Sequence, residues 1–158
     1  MPDLHALVVH FTIALLAVSV TSDFLFLISG KEKFRRISRS LLIPGTLAAL
    51  AAVVSGMLAR NALEIPQGLE NNIARHQWSG IMTLIAFVLL CLFRYGLAVS
   101  IRESKPFRWV YYTVSVLGLI FLFRTGFLGG ELVLKFGIGA DANNRKLPLV
   151  KPSFENEE

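Results

Sequence analysis

LHALVVHFTIALLAVSVTSDFLFLIS, running from Leu4 to Ser29, is the stretch that decides the fold. It contains one carboxylate, Asp23, no lysine or arginine, and two histidines, His5 and His10. A helix needs roughly 20 mostly apolar residues to cross the hydrocarbon core of a bilayer, and this block meets that length. Three further blocks follow: Leu41–Leu63, Gln77–Val99 and Trp109–Leu134. The 158-residue chain is 54% hydrophobic, with a mean hydropathy of +0.58. A soluble domain is nearer ~45–50% apolar. The pattern predicts an all-α integral membrane protein, a four-helix up-down-up-down bundle over residues 1–139. A polar extramembrane tail is expected over 140–158.

The net charge of +5 does not point to nucleic acid, because the basic residues bracket the apolar blocks. Lys31, Lys33, Arg35, Arg36 and Arg39 fall in the first connection, read as Gly30–Ser40. Arg94, Arg102, Lys105 and Arg108 fall in the third. The second holds only Arg60 and Arg75. The positive-inside rule puts the first and third connections in the cytoplasm and both termini on the periplasmic side of a bacterial inner membrane. The first block lacks a basic leader, so it reads as a retained span rather than a cleaved signal. Pro44 and Gly45 are expected in the first turn of span two. Asn72 is expected to cap span three. The small residues Gly45, Ala48, Ala49, Ala52, Ser55 and Gly56 favour close packing of span two. Trp78, Trp109, Tyr111 and Tyr112 read as an interfacial aromatic belt. The lone Cys91 lies mid-span and reads as packing.

Alternating span direction gathers His5, His10, Arg60, His76, Arg124 and Glu131 at the outer end. At ~1.5 Å per residue, His10 lies about a turn and a half into span one. His76 lies about one turn into span three if Asn72 is the cap. Matching depth on two helices suits a bis-histidine site, since bundles hold cofactors between facing helices and haem iron takes histidine axially. The expected group is haem b, with His10 and His76 on the iron and Arg124, and also Arg60, holding propionates. Arg75 is a further cation at the rim, and Met57 is a substitute axial ligand. His5 and His10 are roughly 500° apart along the helix and so point about 140° apart; they cannot ligate one iron from one side. His5 is therefore assigned to the bundle mouth. Interfacial hydrogen bonding explains lone histidines equally well, and Arg124 has Glu131 or Asp3 as purely structural partners. The cytoplasmic half offers only Asp23, set near water or Lys31.

The opening LHALVVHFTIALL, the segments SGMLARNALEIP and HQWSG, and the terminal TGFLGGELVLKFGIG resemble a family of bacterial four-helix predicted membrane proteins defined as a domain of unknown function. The resemblance covers about Leu4 to Gly139. Ala6 and Thr12 stand where that family has prolines, and Phe136 stands where it often has a histidine. The resemblance implies a four-span bundle with its histidines at one end. The functional expectation is a b-type haem-binding electron-transfer protein working with other membrane or periplasmic redox subunits. The alternative is a cofactor-free accessory subunit of a larger membrane complex. A zinc or copper site built from His5, His10, His76 and Glu131 is the third reading.

Overall fold

A computed structural model describes residues 2–62, 68–96 and 104–138. Four helices make up these residues: α1 (Pro2–Ser29), α2 (Glu32–Ala62), α3 (Glu70–Cys91) and α4 (Lys105–Leu134). A π-helical turn, Leu92–Gly96, continues α3. All four helices are long and apolar enough to cross a membrane, over His5–Ser29, Glu32–Asn61, Glu70–Gly96 and Lys105–Leu134. α1 packs closely on α2 and α3 on α4; α2–α3 and α1–α4 contacts complete the ring, leaving α1 and α3 on one diagonal.

The inward faces follow a 3–4 spacing. On α4 they are Tyr111, Ser115, Gly118, Leu122, Thr125, Gly129 and Leu132; on α2 they are Ser38, Leu42, Gly45, Ala49, Ala52 and Gly56. A period of 3.5 is that of a left-handed supercoil. Hydroxyls share the interior with large apolar side chains: Thr12, Ser19, Ser22, Ser38, Thr46, Ser79, Thr83 and Ser115 are buried alongside Leu16, Leu42, Phe87, Leu90 and Leu122, while Leu7, Phe11, Leu47, Leu58, Ile120 and Phe127 face outward. In lipid no hydrophobic drive separates Leu from its surroundings, so close packing and interhelical hydrogen bonds hold the helices instead. The expected tight packing of α2 is present. A Cβ on Gly45 would lie 2.6 Å from Leu16 Cδ2.

Three boundaries differ from the sequence reading. The first connection is only Gly30–Lys31: α1 ends where Gly30 takes φ +64° and donates its N–H to Phe26 O, and α2 starts at Glu32. The basic run is therefore helical, and Pro44 lies well inside α2, where it removes one backbone hydrogen bond without ending the helix. Leu69, not Asn72, precedes α3, and Glu70 reaches back to the Gly68 N–H at 3.0 Å. At the other end Gly137, with φ +65°, follows the last turn of α4 and donates its N–H to Val133 O. The tail 140–158 lies outside the described residues.

One polar cluster ties all four helices. Asp23 of α1 is 2% exposed. Arg94, on the π-helical turn after α3, places Nη2 2.6 Å from both Asp23 carboxylate oxygens and donates from Nη1 to Ser38 Oγ of α2 at 2.6 Å. Tyr111 of α4 donates to Asp23 Oδ2 at 2.7 Å, and the Arg94 guanidinium stands 5.0 Å from the Tyr111 ring centre. Ser19 Oγ donates to Ser38 O at 3.0 Å. Arg94 is thus a bundle residue rather than a connection charge. Tyr111 is buried within the bundle rather than in an aromatic belt, whereas Trp78 and Trp109 are exposed near helix ends as expected.

Removing one partner of a buried pair costs about 3–5 kcal/mol, because the other charge is left uncompensated. Arg94→Gln is expected to lower the unfolding free energy of the detergent-solubilised chain by that order. Asp23→Asn combined with Arg94→Gln should recover most of the loss. Thermal unfolding of the three proteins measures both effects.

Candidate functional site

The end of the bundle opposite Asp23 brings two of the three histidines together. His5 lies seven residues before the buried Thr12 and fourteen before the buried Ser19, so it shares their inward face. His76 belongs to the corresponding stripe of α3, between the buried Ile73 and the buried Ser79, Thr83, Phe87 and Leu90. The two imidazole centroids are 6.5 Å apart and their planes meet at 86°. The pair therefore bridges the diagonal of the bundle.

Each ring is oriented by a neighbour. His76 Nδ1 is 3.1 Å from Thr125 O of α4; a carbonyl only accepts, so Nδ1 carries the proton. His5 Nδ1 is 2.8 Å from Ser55 Oγ of α2. That hydroxyl donates to Ala52 O at 3.1 Å, so it accepts from His5 and Nδ1 again carries the proton. In the neutral imidazole the other nitrogen then bears a lone pair. Both Nε2 atoms are in this state, and among the described residues neither has a hydrogen-bond donor. Two glycines give the rings their room: a Cβ on Gly56 would lie 3.1 Å from His5 Cε1, and one on Gly129 3.0 Å from His76 Cε1. Below His76, Thr125 Oγ1 is 2.9 Å from Ser79 Oγ and 3.3 Å from Thr83 Oγ1, which fixes α3 against α4.

His10 is not in this group. It is exposed, with Nδ1 2.6 Å from Ala6 O of its own helix. The expected His10–His76 pairing is therefore not made, because the 140° that separates His5 from His10 turns His5 inward and His10 outward. His5 is the partner of His76 rather than a group at the mouth. Arg124 is exposed on α4, one residue before the inward-facing Thr125. Glu131 pairs with Lys135 at 2.6 Å rather than with Arg124. Arg60 is exposed and donates to Gln77 Oε1 at 2.6 Å, next to His76 in sequence. Arg75 and Met57 are exposed, and Met57 faces away from the ring pair's interior position. Among the described residues there is no cluster of three or more His, Cys, Asp or Glu able to hold a metal, so the zinc or copper reading lacks its ligand set.

Adjacent glycines of α4 test the ring geometry. Gly129 abuts His76, whereas a Cβ on Gly130 meets nothing within 4 Å. Overpacking costs about 1–3 kcal/mol, so Gly129→Leu should lower the thermal midpoint in detergent clearly. Gly130→Leu should leave it near the wild-type value.

Comparison with curated proteins and with solved structures gives no match. A family profile does match, over residues 2–142, which takes in every described helix. The chain belongs to the family described as predicted membrane protein (DUF2231).

Proposed function

We propose that this membrane protein binds one b-type haem at its histidine end, through His5 and His76, and passes single electrons. The observation that carries the reading is the pair itself: two fixed imidazoles, 6.5 Å between centroids, each with its Nδ1–H engaged and its Nε2 lone pair left without a donor. Such a pair suits an electron-pair acceptor. Two protein nitrogens fall short of the three or four protein ligands zinc usually takes. Haem iron brings its porphyrin nitrogens and needs only axial ligands.

When bound, haem supplies reversible one-electron exchange at a potential set by its axial ligands and burial. The protein's own residues do the positioning. Ser55 and Thr125 hold the tautomer and angle of the two rings, the role that outer partners play for metal-bound histidine. Gly56 and Gly129 let helix backbones approach the rings. Arg60, steadied by Gln77, is the rim cation suited to a propionate. Arg124, on the outside of α4, is a less direct partner.

The lysines and arginines gathered at the opposite end of the bundle support a periplasmic placement of the histidine end in a bacterial inner membrane. A single haem held there would not span the bilayer, so a periplasmic protein or a neighbouring subunit would have to supply and accept the electrons. A cofactor-free accessory subunit is the second reading. One observation favours it: Arg124 is exposed about 15 Å before the end of α4. An arginine at that depth costs roughly 2.5–3.5 kcal/mol facing lipid, which a covering subunit would relieve.

The test is the reduced-minus-oxidised visible spectrum of the purified chain. A sharp low-spin b-type spectrum is expected in wild type and in His10→Ala, and its loss in His5→Ala and in His76→Ala. A colourless wild type, from cells that make other b-type cytochromes, would overturn the haem reading in favour of the accessory subunit.

A further inference from the structure

The opposite end of the bundle has its own site. An open cleft of 490 Å³ lies beside the Asp23 cluster, with Arg35, Arg39, Arg94 and Arg108 among its walls and Tyr111 and Tyr112 beside them. Asp23 and Arg94 neutralise each other. Arg35 stands 5.4 Å from the Phe26 ring centre, and its Nε is 2.9 Å from the exposed Glu32. The cleft therefore carries an excess of guanidinium charge. Planar guanidinium groups that converge on one space match the oxygens of a phosphate.

A second cleft of 450 Å³ shares Arg108 and Tyr112 with the first. Its remaining walls are almost wholly apolar: Phe24 and Leu27 of α1 face Trp109, Val116 and Leu117 of α4. A polar cleft rich in cations thus meets an apolar groove that follows the membrane-facing surface of two helices. A free phosphate would use only the first. An amphiphile with an anionic head and an acyl chain uses both. The basic residues gathered at this end also favour the cytoplasmic leaflet for it, where basic pockets between transmembrane helices take anionic headgroups.

We propose that this end of the bundle is a binding site for one anionic phospholipid, with its phosphate on Arg35, Arg39 and Arg108 and an acyl chain in the α1–α4 groove. The site is independent of the histidine pair. Its occupancy would pin α1 to α4, the pair of neighbouring helices with the fewest contacts between them.

Native mass spectrometry of the full chain in mild non-ionic detergent tests this, with dioleoyl phosphatidylglycerol and dioleoyl phosphatidylcholine as probes and inorganic phosphate as competitor. Basic residues beside an anionic headgroup each favour it over a zwitterionic one, so wild type should prefer phosphatidylglycerol at least about tenfold. The triple variant Arg35→Gln, Arg39→Gln, Arg108→Gln leaves Arg94 on Asp23 and should lose that preference. Arg108→Gln alone should lose part of it, which keeps the test sound if the triple variant is unstable. Leu117→Trp, which fills the groove, should weaken binding of both lipids. Equal binding of the two lipids by wild type, or a preference that survives the arginine substitutions, would overturn the proposal. So would displacement of phosphatidylglycerol by millimolar phosphate together with unchanged lipid binding in Leu117→Trp, the pattern of a site for a free anion.

Discussion

The rest of the structure depends on one buried ion pair. Asp23 and Arg94 lie inside a bundle whose surroundings are hydrocarbon, and neither charge is tolerable there alone. Their pairing is completed by the Tyr111 hydroxyl and by Ser38. Each of the four groups comes from a different helix or its continuation, so satisfying the carboxylate and the guanidinium assembles the bundle. The π-helical turn belongs to this constraint, because it carries Arg94 at the end of α3. The small hydroxyl residues along the interior extend the same logic, holding helices that have no hydrophobic reason to associate.

With that end fixed, the other is organised by weaker and more local devices. Ser55 and Thr125 orient His5 and His76, and glycines give the rings room. Nothing in the packing requires imidazoles there; Leu or Phe would fill the diagonal of a membrane bundle at lower polar cost. The proposed function gives these two half-buried imidazoles, whose Nε2 lone pairs meet no donor among the described residues, a reason to be there. The bundle thus has one end locked by a buried ion pair and another where two imidazoles are set by hydrogen bonds and glycine contacts.

The four spans and their alternation were legible because length and hydropathy alone decide them. The gathering of the histidines at one end followed from that alternation. Which histidine faces inward did not follow from depth. It is set by helix phase, and the signal was present: His5, Thr12 and Ser19 repeat every seven residues, with Asp23 four further on, whereas His10 falls off that register. The same 3–4 spacing places Thr125 inside and Arg124 outside. Arg94 and Tyr111 were harder to read. Their positions near the ends of apolar blocks suit a topology charge and a belt aromatic equally well, and only the approach of α1 to the end of α3 and the start of α4 reveals the carboxylate they share. The helical start of α2 at Glu32 was hidden by counting span limits from the apolar residues alone, although charged residues extend a helix beyond the bilayer without penalty.

The measurement that tests the central claim most directly is low-temperature electron paramagnetic resonance of the oxidised, purified wild-type protein. Two imidazoles whose planes meet at 86° on one ferric haem predict a low-spin signal of the strongly anisotropic kind given by near-perpendicular axial rings. A high-spin ferric signal, meaning that one of the two histidines is not on the iron, would contradict the account, as would the absence of any haem signal.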